Sequence, residues 1–200
     1  MQTYLFFLST WTIVSKVSSK IFYRKHLTYV SMLHTSSCIY LLTTNNNTLA
    51  TLNAIAYFTS DFMQIVYTNY YNSQNTFIFT FHHIISVVAL AVVSQDHPLY
   101  TIMLKTFLDI EWSNTALHLY YITSRITTSK EILALANGLE AVMYGYYRTR
   151  LIKYAYNELV YNTSSHIGES TLFIAMYSFG AFFTGALFCT TFNRVYNLLY

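Results

Sequence analysis

The side chains best suited to chemistry in this chain are ionisable groups set inside apolar runs: His34, Asp61, His82, His83, Lys105, Asp109, Glu111, His118 and Glu140. Desolvating such a group is costly, so its presence marks either function or buried pairing. A neutral imidazole is a competent base and nucleophile near neutral pH. A carboxylate such as Asp61 can orient an imidazole through the ring's other nitrogen. Adjacent residues project about 100° apart on a helix, so His82 and His83 cannot chelate one ion as an i,i+4 pair does. No metal centre is expected.

Each feature also has a plainer reading. A single histidine such as His34 in an apolar helix is more often a hydrogen-bonded core residue. The His82–His83 pair is evenly balanced between function and packing. His83 shares a helical face with Thr76 and Thr80, and His82 with Ser86, so periodicity does not say which ring turns inward. Asp61 lies on one stripe with Asn53, Tyr57 and Gln64, a polar face that must meet protein or water. Lys105 and Asp109 stand four apart and are expected to neutralise each other.

The elements that must hold these groups are apolar stretches separated by polar joints. They fall at about 3–15, 26–44, 49–69, 76–93, 98–123, 131–147 and 169–193. Joints such as Asn45-Asn46-Asn47, Asn72-Ser73-Gln74 and Thr127-Thr128-Ser129 separate them. Stretches of roughly 20 apolar residues suit a bilayer crossing. With 54% hydrophobic and only 10% charged residues, the expectation is an all-α, polytopic transmembrane protein: six helices in a ring plus an extra N-terminal helix. Residues 1–25 form an N-terminal hydrophobic segment and basic loop, and 26–200 a single membrane domain. The first stretch reads either as a helix or as a cleaved signal. At a rise of about 1.5 Å per residue, His34, Asp61 and His82–His83 then sit at similar depth, about 10–12 Å from one face. Lys16, Lys20, Arg24 and Lys25 place the first loop in the cytosol. The sequons at Asn46 and Asn162 then face the opposite side. Arg148, Arg150 and Lys153 disagree with that arrangement unless the sixth helix runs on with its arginines facing inward.

Composition excludes several classes. A net charge of +3 from 11 basic and 8 acidic residues, without clustering, does not suit nucleic acid. Cys38 and Cys189 lie in separate apolar runs, which excludes a disulfide framework and a thiolate metal site and suggests buried small side chains.

At these same residues the chain resembles the TLC domain family, which contains the ceramide synthases. Tyr29-Val30-Ser31-Met32-Leu33-His34 is similar to its V-S-x-x-H opening, and Ala56-Tyr57-Phe58-Thr59-Ser60-Asp61 to its G-Y-F-x-x-D segment with Ala for Gly. His82-His83 falls where the family has paired histidines, and Glu111-Trp112-Ser113 resembles its E-x-S-x-P element with Thr115 in place of proline. Arg148, in the helix led by Asn137-Gly138, resembles an arginine near the end of a later family helix. The fuller synthase motif has a histidine–aspartate pair where this chain reads Leu108-Asp109-Ile110-Glu111. The short TLC-domain-only branch is the better likeness.

The resemblance implies a helical ring around a lipid-accessible cavity in an endoplasmic-reticulum membrane protein. It implies membrane lipids as partners, with acyl-CoA and a sphingoid base as substrates and no resident cofactor; self-association into a homo-oligomer is an open expectation. Two functions follow. In the first, an N-acyltransferase, His82 or His83 acts as base or acyl acceptor and Asp61 orients it. Glu111, Asp109, His34, His118 and Arg148 line the substrate site. In the second, the same cavity binds or senses a lipid without turnover, in a protein regulating membrane composition or acting as a cargo adaptor.

Overall fold

The computed structural model describes residues 1–22, 26–68, 73–92, 100–161, 178, 180, 185 and 189–197. Among the described residues the only regular secondary structure is helix. Six helices follow in order: α1 (Gln2–Phe22), α2 (His26–Thr43), α3 (Asn47–Thr68), α4 (Ser73–Val92), α5 (Tyr100–Ile126) and α6 (Lys130–Tyr161). Residues 189–197 are helical as well. The seventh apolar stretch, the joints at 95–97 and 162–164, Pro98 and the Asn162 sequon lie wholly or largely outside the described residues.

Local chemistry sets the boundaries. Asn45, at φ 60°, closes α2 in the left-handed conformation. Its amide donates to the Leu42 carbonyl at 3.2 Å and that of Asn46 to Leu41 at 2.8 Å, a two-bond cap that satisfies the last carbonyls of the helix. Asparagine tolerates this backbone better than other side-chain-bearing residues. At the start of α6 the Ser129 hydroxyl accepts from the Ile132 amide at 3.3 Å and donates to Glu131 Oε2 at 2.6 Å. That bond holds the Glu131 carboxyl below its usual range.

The expected membrane crossings are not formed. Among the described residues no helix is both long and apolar enough to cross a membrane. Length is sufficient; apolar character is not. Helix α3 carries Asn53, Ser60, Asp61 and Gln64, α5 carries Lys105, Asp109, Glu111 and His118, and α6 carries Glu140, Arg148, Arg150 and Lys153. Each such side chain lowers the transfer free energy gained by its segment, and charged ones by about 2.5–3.5 kcal/mol at a helix centre. The polytopic transmembrane fold and the multi-pass endoplasmic-reticulum location are therefore both corrected. The assignment of loops and sequons to opposite sides of a bilayer falls with them. Asn46 stands exposed in the turn after α2.

Two compact units divide the chain, Met1–Leu104 and Lys105–Tyr200. In the first, α1 packs on α2 and α3, α2 on α3, and α3 on α4. Its core is aromatic: Trp11, Val30, Ala56 and Tyr57, flanked by Tyr4, Phe7, Leu8, Val14 and Phe58. Small residues on α3 (Ala50, Ala54 and Ala56) are fully buried and let neighbouring backbones approach. In the second unit α6 runs on past Tyr147 to Tyr161. Ala136, Asn137, Glu140, Tyr144, Arg148 and Leu151 are buried at spacings of one, three or four residues, forming one stripe. Most of that stripe is polar, whereas Leu135, Leu139 and Val142 on the same helix are exposed. Arg148 accordingly points into its own unit.

Candidate functional site

In the first unit the structure distinguishes the two adjacent histidines. His83 is 5% exposed, and its Nε2 lies 2.7 Å from Asp61 Oδ2 across the α3–α4 contact. Its Nδ1 donates to the Phe79 carbonyl, one turn back on its own helix, at 2.6 Å. His82 is half-buried; its ring stands perpendicular to that of His83 with centroids 5.4 Å apart. Both rings touch Phe58 on α3, but the carboxylate of Asp61 is met by His83.

Both nitrogens of His83 face oxygen acceptors. A carbonyl oxygen only accepts, so Nδ1 carries a hydrogen toward Phe79, and a hydrogen between Nε2 and Oδ2 closes the second contact. That shared hydrogen is the one the pair can pass on. To attack an acyl carbon, His83 must first leave Asp61 or Phe79.

Phe58 separates this pair from His34, meeting His83 edge-on at 5.4 Å, His82 at 6.0 Å and His34 at 5.3 Å. His34 is buried and stacks on Tyr57 at 3.8 Å, with Trp11 edge-on to both rings. Its Nδ1 lies 3.5 Å from Cys38 Sγ, one turn along α2. Trp11 Nε1 donates to Asn53 Oδ1 at 2.9 Å, and Asn53 Nδ2 donates to Ser37 Oγ at 2.9 Å and to Cys38 Sγ at 3.5 Å. Cys38 is buried, as expected of it, whereas Cys189 is exposed. Ser15 on α1 bonds Gln64 on α3. The polar stripe of Asn53, Tyr57, Asp61 and Gln64 is thus met by α1, α2 and α4. A crevice lined by Trp11, Ser15, Tyr57, Ser60, Asp61 and Gln64 opens beside the carboxylate, too tight to admit an acyl chain.

The remaining predicted site residues lie in the second unit. Asp109 is paired with Arg150 Nε at 3.2 Å rather than with Lys105, which is exposed. Burial raises the Asp109 carboxyl and Arg150 opposes the rise. Glu111 is 1% exposed and lies close enough to Arg148 to favour its charge. Arg148 is buried: its Nε donates to Ser113 Oγ at 3.2 Å and its guanidinium sits 5.2 Å over the Tyr144 ring. Burial lowers the Arg148 pKa, offset by Tyr144 and Glu111. Tyr144 donates to Asn114 Oδ1 at 3.2 Å, and burial pushes its phenol up to about 12. His118 is buried too.

Glu140 accepts from Thr191 Oγ1 at 3.1 Å and pairs with Arg194 Nη1 at 3.4 Å, tying α6 to residues 189–197. Arg194 lies 5.0 Å over the Tyr120 ring. Burial raises the Glu140 carboxyl, against Arg194 and Thr191.

Sequence reasoning did not find the parts played by Trp11, Cys38 and Tyr144. Trp11 stands in the segment read as a weak crossing or signal, yet a lone tryptophan with a polar N–H in an apolar run was the available clue. Comparison with known proteins finds no match to any family, to any curated protein or to any solved structure.

Proposed function

We propose that the first unit carries an acid–base site for acyl transfer from an acyl thioester to a lipid amine, with His83 and Asp61 as its working pair. The observation that carries this reading is the 2.7 Å contact between the buried His83 ring and Asp61, contributed by different helices. The likeness of the His34, Asp61 and His82-His83 segments to TLC-domain motifs supplies the substrate class. In the reaction, the amine nitrogen attacks the thioester carbonyl, a C–N bond forms, the C–S bond breaks and thiolate leaves. The amine's surplus proton must depart and the thiolate must gain one. A pair already holding a proton supplies the thiolate, and once emptied it collects the proton of the amine. Asp61 borders the crevice, so an acceptor approaches from that side after the crevice widens.

The test is incubation of the purified chain with labelled acyl-CoA and a panel of long-chain amines, followed by lipid analysis. Native protein should form an N-acyl product, and His83→Ala should lower the rate at least about 100-fold, in the range of a lost general acid–base. Unaltered turnover in His83→Ala removes the reading. A label that stays on the protein and is released by hydroxylamine would show a covalent acyl intermediate instead.

A second reading rests on a specific departure. Thr115 and the Leu108-Asp109-Ile110-Glu111 segment lack the proline and the histidine–aspartate pair of the synthase-like motif. These favour a lipid-binding protein without turnover. Lipid retained through purification and seen by mass spectrometry, with no acyl-CoA consumed, supports it over the first.

A further inference from the structure

Helix α1 has two faces of different character. Trp11, Ser15 and Ser18 turn inward, and Tyr4, Phe7 and Val14 pack beside them against the core of the first unit. The outward face carries large apolar side chains: Phe6 is 67% exposed, Ile13 61% and Val17 49%. The spacings of seven and four residues between them keep these three within about 40° on the helix surface. Lys16 and Lys20, both exposed, flank the same face in its second half. Neither makes an ion pair among the described residues. The chain has no aspartate or glutamate before Asp61, so α1 has only positive side-chain charge.

We infer that this face of α1 is a docking surface for an anionic lipid layer, on which the helix lies flat without crossing it. Three physical features argue for that occupant. An exposed apolar stripe gains by insertion to about 5–10 Å at the headgroup–acyl boundary, the depth an interfacial helix reaches. Lysine stems lie along apolar surface while their ammonium groups remain in the polar zone. Cations without acidic neighbours match the negative potential of anionic lipids, and each adds about five-fold to binding. A protein groove would offer the apolar contact but gives no reason for the uniform charge. The inference stands apart from the acyl-transfer reading, because it concerns α1 and no group of the His83–Asp61 pair.

The test is co-sedimentation of the purified full chain with vesicles of phosphatidylcholine alone or mixed with phosphatidylserine. Binding should be at least about ten-fold tighter to the mixed vesicles and weaken as salt is raised. The double change Lys16→Gln with Lys20→Gln should lower it roughly thirty-fold, at two cations lost. Phe6→Ser with Val17→Ser should weaken binding to the mixed vesicles as well. Far-ultraviolet circular dichroism checks that each variant keeps its helicity. Equal binding to both vesicle types, or unchanged binding by the double-lysine variant, overturns the proposal. So does a native dimer, seen by light scattering, that binds no vesicles and falls apart on Phe6→Ser with Val17→Ser, since the face is then a contact between copies.

Discussion

Asp61 on α3 and His83 on α4 meet through Oδ2 and Nε2 at 2.7 Å, while the Phe79 carbonyl holds the ring's other nitrogen at 2.6 Å. The ring is thereby fixed in orientation and saturated with acceptors. Replacing Asp61 by asparagine keeps the shape and removes the charge. The proposed acyl transfer should fall by about 10²- to 10⁴-fold in Asp61→Asn, measured as initial rate with labelled acyl-CoA. Helicity should be retained. A raised KM with kcat unchanged would assign Asp61 to binding instead.

Trp11 links three helices: it fills the core beside Val30, Ala56 and Tyr57, and its N–H satisfies buried Asn53. Trp11→Ala should cost about 3–5 kcal/mol in unfolding free energy. Trp11→Phe should cost less, but still about 1–3 kcal/mol, because Asn53 Oδ1 loses its donor in a dry site. Denaturant titration followed by circular dichroism separates the two.

Glu140 is buried with its carboxyl pKa raised by desolvation, so the folded state binds its proton more readily than the unfolded chain. The sign follows from proton linkage. Between the raised folded value and the ordinary glutamate value of 4.5, lowering the pH adds protons preferentially to the folded state and stabilises it. Above that window the charged carboxylate is a destabilising burden, eased by Arg194. Glu140→Gln should therefore remove the stability gained from Glu140 as pH falls through that window. The measurement is the melting temperature of both proteins from pH 7 to pH 4, with the native-minus-variant difference rising toward acid.

Ser129 caps α6 through the Ile132 amide. Ser129→Ala should cost about 1 kcal/mol, and Ser129→Gly only a few tenths. At the other kind of helix end, Asn45→Ala should cost about 1–2 kcal/mol because its backbone is left-handed, whereas Asn45→Gly should be neutral or mildly stabilising. Thermal unfolding of the four variants tests both caps.

Much of the helical framework was legible in the residues. Asn45-Asn46-Asn47 and Thr127-Thr128-Ser129 are joints because their side chains cap helix ends better than they continue helices, and both lie where helices stop and start. Inside the candidate site, the shared polar stripe of Asn53, Tyr57, Asp61 and Gln64 follows from helical periodicity alone. The expected membrane crossings did not hold because the polar side chains inside the runs, read as a functional site within a bilayer, weigh against a crossing in the first place. Those side chains leave too little apolar character for a crossing.

The amino-acid order by itself determined that the chain is helical, that its ionisable groups are spread through apolar segments, and that two histidines stand side by side. Tertiary packing decided which histidine meets Asp61, that Arg150 rather than Lys105 holds Asp109, and that α1 buries Trp11 and exposes Phe6. The physical reason is range. Capping and periodicity act over a few residues and are written in the local order. Which ring meets which carboxylate depends on how helices far apart in sequence rotate against each other, and only the packed core fixes that rotation.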